Sequence, residues 1–317
     1  MARSNELRLM TRVARMYYSE GLTQSVIAEK LSLSQASVSR LMKRAHDERI
    51  VRIAVDVPRG TYPDLEDGLI SAYGLSEAIV VDCDADDEGV ILVALGEAAA
   101  FFLESTLSEG EVIGVSSWSQ SILRMVDRIH PLKRVSARRV VQTLGGMGDP
   151  GMEFHATQLT TRLARLTRAE PVLLPAPGVA STAETRRILE EDRFVRAALD
   201  DFRNITLAML GIGTVQPSEL LARSGNVFTQ SELDALSRMG AVGDLSLRFF
   251  DADGAPVKTT LDERVIGITL DEIKAIPRVT AVAGGARKIA AIRGALRGGY
   301  LDVLITDRFT AAHLAKG

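Results

Sequence analysis

Two periodicities divide the chain. Over residues 22–45, "LTQSVIAEKLSLSQASVSRLMKRA", apolar and small residues recur at helical spacing in two short runs. Thr23 is placed to cap a helix from about Gln24 to Lys30, and Ser34 to cap a second from about Gln35 to Ala45. Counting Gln24 as position one, Ile27, Ala28, Leu31, Leu33, Val38 and Leu41 fall at positions 4, 5, 8, 10, 15 and 18, the spacing of a helix-turn-helix. Ala28 is small where the helices must cross, and Val38 and Leu41 seat the second helix on the first. Ser32 stands where such turns usually carry glycine. An apolar run near Val13, Ala14 and Tyr17 predicts a preceding helix that completes a three-helix core. The following "IVRIAVDVP" alternates like a short strand, for a wing-like hairpin or an edge.

Pro58, Gly60 and Pro63 then interrupt the pattern. From about residue 75, short apolar runs alternate with helical ones: "EAIVVD", "EVIGVSS", "RVVQTLGG", "PVLLPAPG", "NITLAMLGIG", "RVTAVAGG" and "LDVLITD". Runs this apolar, separated by helices, predict an α/β domain with a mainly parallel sheet buried on both faces. The expected organisation is an all-α helix-turn-helix head at 1–57, a linker at 58–66 and a large α/β body at 67–317. "GARKIAAIRGALRGG" reads as a helix closed by Gly-Gly.

Charge sharpens this division. Residues 1–60 carry 11 Lys or Arg against 6 Asp or Glu, a net +5, while 61–317 carry 27 against 35, a net −8. A basic head suits a polyanion; an acidic body is repelled by one. The head's outward polar face offers Gln35, Ser37, Ser39 and Arg40 to a major groove, with Lys43 and Arg44 placed for phosphates. With Thr23, Gln24 and Ser34 at the helix starts, these are the candidate DNA-facing residues. The alternative is an amphipathic helical hairpin with a solvated charged face. The single cysteine, Cys83, rules out an internal disulfide or a thiolate zinc cluster and suits inert packing beside "EAIVVD". The start "MARSNELRLMTRVARMYYSE" lacks the apolar run of a secretory signal, so a cytoplasmic protein with no membrane partner is expected.

The order and spacing of "YYSEGLTQSVIAEKLSLSQASVSRLMKRA", "VIGVSSW", "LGG", "LPAPG", "GIG", "GAVGDLSLRFFDADG" and "AGGARKIAAIRGALRGGYLDVLITD" resemble the SorC-type sugar-binding transcriptional regulators over nearly the whole chain. The resemblance implies a body similar in fold to phosphosugar isomerases, a sugar phosphate or related carbohydrate effector that alters operator binding, and often a tetramer.

In open α/β sheets ligands bind beyond the carboxyl ends of the strands. Two strand-following loops are candidates there: Gly145, Gly146 and Gly148, whose backbone N–H groups can approach a phosphate, and Ser116, Ser117 and Ser119 with their hydroxyls. Plain turn chemistry is the competing reading of both. Lys288, in the first turn of a helix opened by Gly284-Gly285, is placed for an anion or is a surface lysine. Asp244, in a motif that lines the pocket in the resembled family, either accepts from sugar hydroxyls or caps a turn. His155, with Gln158 beside it, is a ligand contact or a packed side chain, and Trp118 stacks on a sugar or fills the core. Arg248, Phe249 and Phe250 read as strand and core.

An isomerase-like enzyme is the second reading, since fold does not fix function. No acid/base pair, metal-ligand cluster or nucleophile elbow supports it, and no cofactor is expected. An architectural DNA-binding protein would not need so large a body. The expected partners are operator DNA, a sugar or sugar-phosphate effector, and further copies of the chain in a homodimer or homotetramer.

Overall fold

The computed structural model describes the backbone of residues 2–53, 56–148 and 153–316, and their side chains apart from those of 2 and 153–155. It forms two compact units, 1–58 and 59–317.

The first unit is three helices: α1 (Ala2–Tyr18), α2 (Gln24–Leu31) and α3 (Gln35–Asp47). Both expected caps form, with Thr23 Oγ1 accepting from Val26 N (3.5 Å) and Ser34 Oγ from Ser37 N (3.2 Å). Val13, Met16, Ile27, Ala28 and Val38 close the core, with Leu33 and Leu41 packed against it. Ser32 takes the left-handed conformation, φ +54°, that glycine usually supplies in this turn. Among the described residues of 50–58 no strand forms; Ala54 and Val55, the middle of the expected wing strand, lie outside the described residues.

The expected linker is mostly part of the body. The hydroxyl of Tyr62 donates to Asp82 at 2.5 Å, and helix α4 (Pro63–Tyr73) starts on a proline at its first position, where the missing N–H costs nothing.

The body alternates strand and helix. Strands β1 (Glu77–Val81), β2 (Val112–Val115), β3 (Arg139–Gln142), β4 (Glu170–Val172), β5 (Leu207–Leu210), β8 (Arg278–Val282) and β9 (Val303–Asp307) form one sheet. Its order is β1-β9-β8-β5-β2-β3-β4 and every pairing is parallel. All seven expected strands are present. Between β5 and β8 the chain makes an antiparallel hairpin, β6 (Ala241–Leu245) and β7 (Arg248–Asp251).

Burial on both sheet faces explains the continuous apolar runs. Along β5, Leu207 and Met209 enter one core, with Ile113 and Val115, while Ala208 and Leu210 enter the other, with Ala281 and Leu304. Helices α5 (Glu88–Thr106) and α6 (Gln120–Arg128) cover the first of these faces, carrying Leu95, Leu103, Ile122 and Met125. Among the described residues α5 alone is long and apolar enough to cross a membrane, with a mean hydropathy of 1.5; here its inner side is core. Cys83 is buried in the same layer, and burial pushes its thiol up to about 11, which keeps it an unreactive thiol at neutral pH.

Candidate nucleic-acid interface and effector cleft

On α3, Gln35, Ser39, Arg40 and Lys43 are exposed on one side of the helix, opposite the buried Val38 and Ala45. Ser34 and Ser37 are engaged locally, their hydroxyls 2.8 Å apart, and Arg40 Nη2 donates to Ser37 Oγ at 3.2 Å. Thr23 pairs with Ser25 at 2.9 Å, and Gln24 is half-buried. Arg44 departs from expectation. Its guanidinium is paired with Glu6 of α1 and with Glu48 (3.0 Å), so it clamps α3 to α1 instead of being free for a phosphate.

The second site lies where the sheet reverses direction. From β2 the chain moves outward to β3 and β4; it then returns on the other side of β2 as β5 and proceeds away through β8 and β9. Neighbouring strands whose connections leave in opposite directions open a crevice at their carboxyl ends. A cleft of about 740 Å³, its open mouth included, occupies that position, lined by the segments after β2, β5 and β8 and by the turn of the hairpin.

Of the expected effector residues, Ser116, Ser117, Trp118, Ser119, Asp244 and Lys288 are brought together on this cleft. Their roles differ. Ser119 caps α6, accepting from Ile122 N at 3.4 Å, and Ser117 turns inward to Thr160 at 3.2 Å, where it is buried. Trp118 is a core residue with one edge on the cleft, its indole N–H donating to Gly145 O at 3.1 Å. Ser116 remains half-buried at the opening, its backbone N–H fastened to Met209 O.

Gly145, Gly146 and Gly148 are elsewhere. A Cβ on Gly145 would stand 2.4 Å from the Pro177 backbone, one on Gly146 2.2 Å from Gln142 Nε2, and one on Gly148 2.1 Å from Ser224 O. These glycines let neighbouring protein segments approach, and they do not line the cleft. His155 lies in a helix (Glu153–Leu166), but its side chain is outside the described residues; Gln158 is exposed.

Asp244 holds its turn and also lies on the cleft. Its Oδ2 accepts from Leu247 N at 2.8 Å, holding a hairpin turn in which Ser246 and Leu247 both have positive φ, +52° and +62°. The carboxylate also faces the cleft, buried. Loss of water pushes its pKa up to about 6, against the opposing effects of the Leu247 N–H and the Lys288 charge.

Lys288 does not sit in the first turn of its helix. A short 3-10 turn, Ala286–Lys288, precedes the α-helix Ile289–Arg297, so Lys288 stands at the junction. Its Nζ donates to Ile212 O at 2.8 Å. Burial lowers its pKa, and the Asp244 carboxylate partly restores it. The turn before it is set by Asp307, whose buried carboxylate accepts from Gly285 N and Thr310 Oγ1 at 2.8 and 2.6 Å. Gly285 there has φ +93°.

Sequence reasoning left Gly211, Gly213, Glu88 and Arg287 out of the site. A Cβ on Gly211 would lie 2.1 Å from Ser119 Oγ, and one on Gly213 2.0 Å from Asp244 Oδ1. The "GIG" segment is therefore bare so that a serine and a carboxylate can close over it. At the mouth, Arg287 and Glu88 form an exposed ion pair at 3.2 Å. The cleft thus combines two cations, two carboxylates and an array of hydroxyl and amide groups, among them Gln120, Thr214, Gln216 and Ser246. Such a lining suits a small, hydroxyl-rich ligand bearing negative charge.

A three-helix unit with an exposed polar recognition face, attached to a parallel α/β domain with a polar cleft at its switch point, defines a ligand-sensing regulator of transcription. A sugar-binding domain family, Sugar-bind, matches residues 60–316. The chain is 34% identical over 309 residues to the deoxyribonucleoside regulator of Bacillus subtilis, covering 98% of this chain and 97% of that protein. It is 32% identical over 308 residues to the erythritol catabolism regulatory protein EryD of Brucella abortus, covering 96% of each. The full-length sorbitol operon regulator SorC of Klebsiella pneumoniae superposes with a TM-score of 0.73 at 27% identity, over 97% of this chain and 98% of that one. The chain belongs to the SorC-type family of sugar-binding transcriptional regulators, and its relatives are named as regulators, not enzymes.

Proposed function

We propose that α3 reads operator DNA through Gln35, Ser39, Arg40 and Lys43, and that a sugar phosphate or a similarly anionic carbohydrate in the cleft changes operator affinity. One observation carries the effector reading: Lys288 and Arg287 meet Asp244 and a hydroxyl-rich lining at the sheet's switch point. A ligand shifts the regulator only by binding one of its conformations better than another. A thermal-shift panel of sugars, polyols and their phosphates tests the class, since a ligand at about 100 times its dissociation constant adds roughly 2.7 kcal/mol. Lys288→Ala then weakens the responsive ligand by about 1.5–3 kcal/mol, as loss of a hydrogen bond to a charged group implies, and leaves ligand-free operator binding intact. A response as strong in the variant as in the wild type removes Lys288 from the site.

A single recognition helix covers one half-site, so the working form is a homo-oligomer acting in the cytoplasm. The exposed apolar side of α5, with Val90, Val93 and a 72% exposed Phe101, supports association of the bodies. Sedimentation of the wild type beside Phe101→Glu checks this surface; identical oligomeric states exclude it.

A further inference from the structure

The head has a second polar surface that the recognition face does not include. On α1, Arg8, Arg12 and Arg15 follow at intervals of four and three residues and are all exposed on one side of the helix. With Lys30 of α2 they line a shallow groove between the two helices. Among the described residues no ion pair engages any of these four cations, and Glu20 is the single acidic residue on the groove. Arg44 shows the contrast: the same unit holds that guanidinium between two carboxylates.

Like charges at these spacings repel one another along a helix. An acidic chain that concentrates four unpaired cations on one groove carries that cost in the free state and recovers it on a polyanion. At 1.5 Å per residue, Arg8 and Arg15 are about 10 Å apart along the helix. That length matches about three phosphate steps of one DNA strand, each rising about 3.4 Å along the duplex axis. We propose that the α1–α2 groove is a phosphate-backbone clamp: it grips the sugar-phosphate strand of duplex DNA beside the bases addressed by α3, adding affinity without sequence preference. The proposal rests on the assignment of α3 to DNA. Duplex DNA is favoured over an acidic protein surface as the occupant because the recognition face of the same small unit already brings phosphates to it.

The test uses the full-length chain and counterion release. Binding to a mixed-sequence duplex of about 40 base pairs is followed by fluorescence anisotropy from about 50 to about 200 mM salt, where each phosphate contact contributes about 0.9 to the log–log slope. The quadruple variant R8Q/R12Q/R15Q/K30Q is expected to lose about 2–4 from the slope per head, and K43Q, on the recognition helix, about 0.9. R8K/R12K/R15K, which keeps the charges, retains the wild-type slope. All the altered positions are exposed, and unchanged helicity and melting temperature verify that the head is folded. A quadruple variant with the wild-type slope, while K43Q loses its share, overturns the clamp, leaves the reading of α3 standing and assigns the groove to an acidic protein surface. A wild type that shows no salt-dependent binding to DNA overturns both.

Discussion

Replacing Asp244 with asparagine is expected to make the body more stable at neutral pH while disabling its effector response. The carboxyl group titrates at about 6 in the folded protein against an ordinary 3.8, because burial disfavours its charged form. The folded state therefore holds the proton more tightly than the unfolded state does. The group favours folding fully below about pH 4, and that contribution is lost as pH rises through about 6. A difference of about two units corresponds to roughly 3 kcal/mol, and the asparagine oxygen can still accept from Leu247 N, so the hairpin turn survives. The attraction of Lys288 is already contained in that value, so the expected gain above about pH 6 stays at about 2–3 kcal/mol. The assay is urea unfolding of wild type and variant at intervals from about pH 4 to about pH 8, with the slope on denaturant checked for constancy. The two stability profiles should coincide below about pH 4, separate between about pH 4 and about pH 6, and keep a constant offset above that, with the variant the more stable. Profiles that stay parallel across the range refute the buried-carboxylate argument.

Gly213→Ala puts a methyl group 2.0 Å from Asp244 Oδ1 and should cost about 1–3 kcal/mol while weakening effector binding, read by calorimetry and ligand titration. Ile27→Ala empties a fully buried position in the head and should cost about 2–5 kcal/mol there. Scanning calorimetry should show loss of the head's transition with that of the body unmoved. Ser32→Gly relieves a left-handed residue whose strain is about 1–2 kcal/mol, and should raise the stability of the head by up to about 1 kcal/mol, measured by thermal melting of the isolated transition.

Short-range chemistry made much of this structure legible in advance. Thr23 and Ser34 cap their helices because an N-cap depends only on residues two or three places on, and the seven strands follow from runs apolar enough to be buried on both faces. What failed depends on contacts distant in sequence. The sign of Arg44 is written in the chain, but its partner Glu6 lies 38 residues away on another helix. Gly145 and Gly211 look alike in sequence, yet one admits the backbone of Pro177 and the other the side chain of Ser119, which only packing decides. The turn at Ser246-Leu247 carries no glycine or asparagine signal because the carboxylate of Asp244 stabilises it from outside the turn itself. Lys288 stands one turn earlier than its sequence suggests, at the junction before its helix, because a 3-10 turn intervenes, and its amine is held by the carbonyl of Ile212, 76 residues away.

That lysine bond changes what occupancy of the cleft means. An ammonium group has three N–H donors, and one is committed to Ile212 O, between the two glycines over which Ser119 and Asp244 close. A ligand that draws the amine toward itself competes with a bond that stitches the end of β5 to the start of the helix Ile289–Arg297. The wall of the cleft is consequently braced from within, a strand-end carbonyl holding the amine that an anionic ligand would also engage. Displacing that carbonyl would cost affinity, and a ligand that did so would leave the wall of the cleft tied differently.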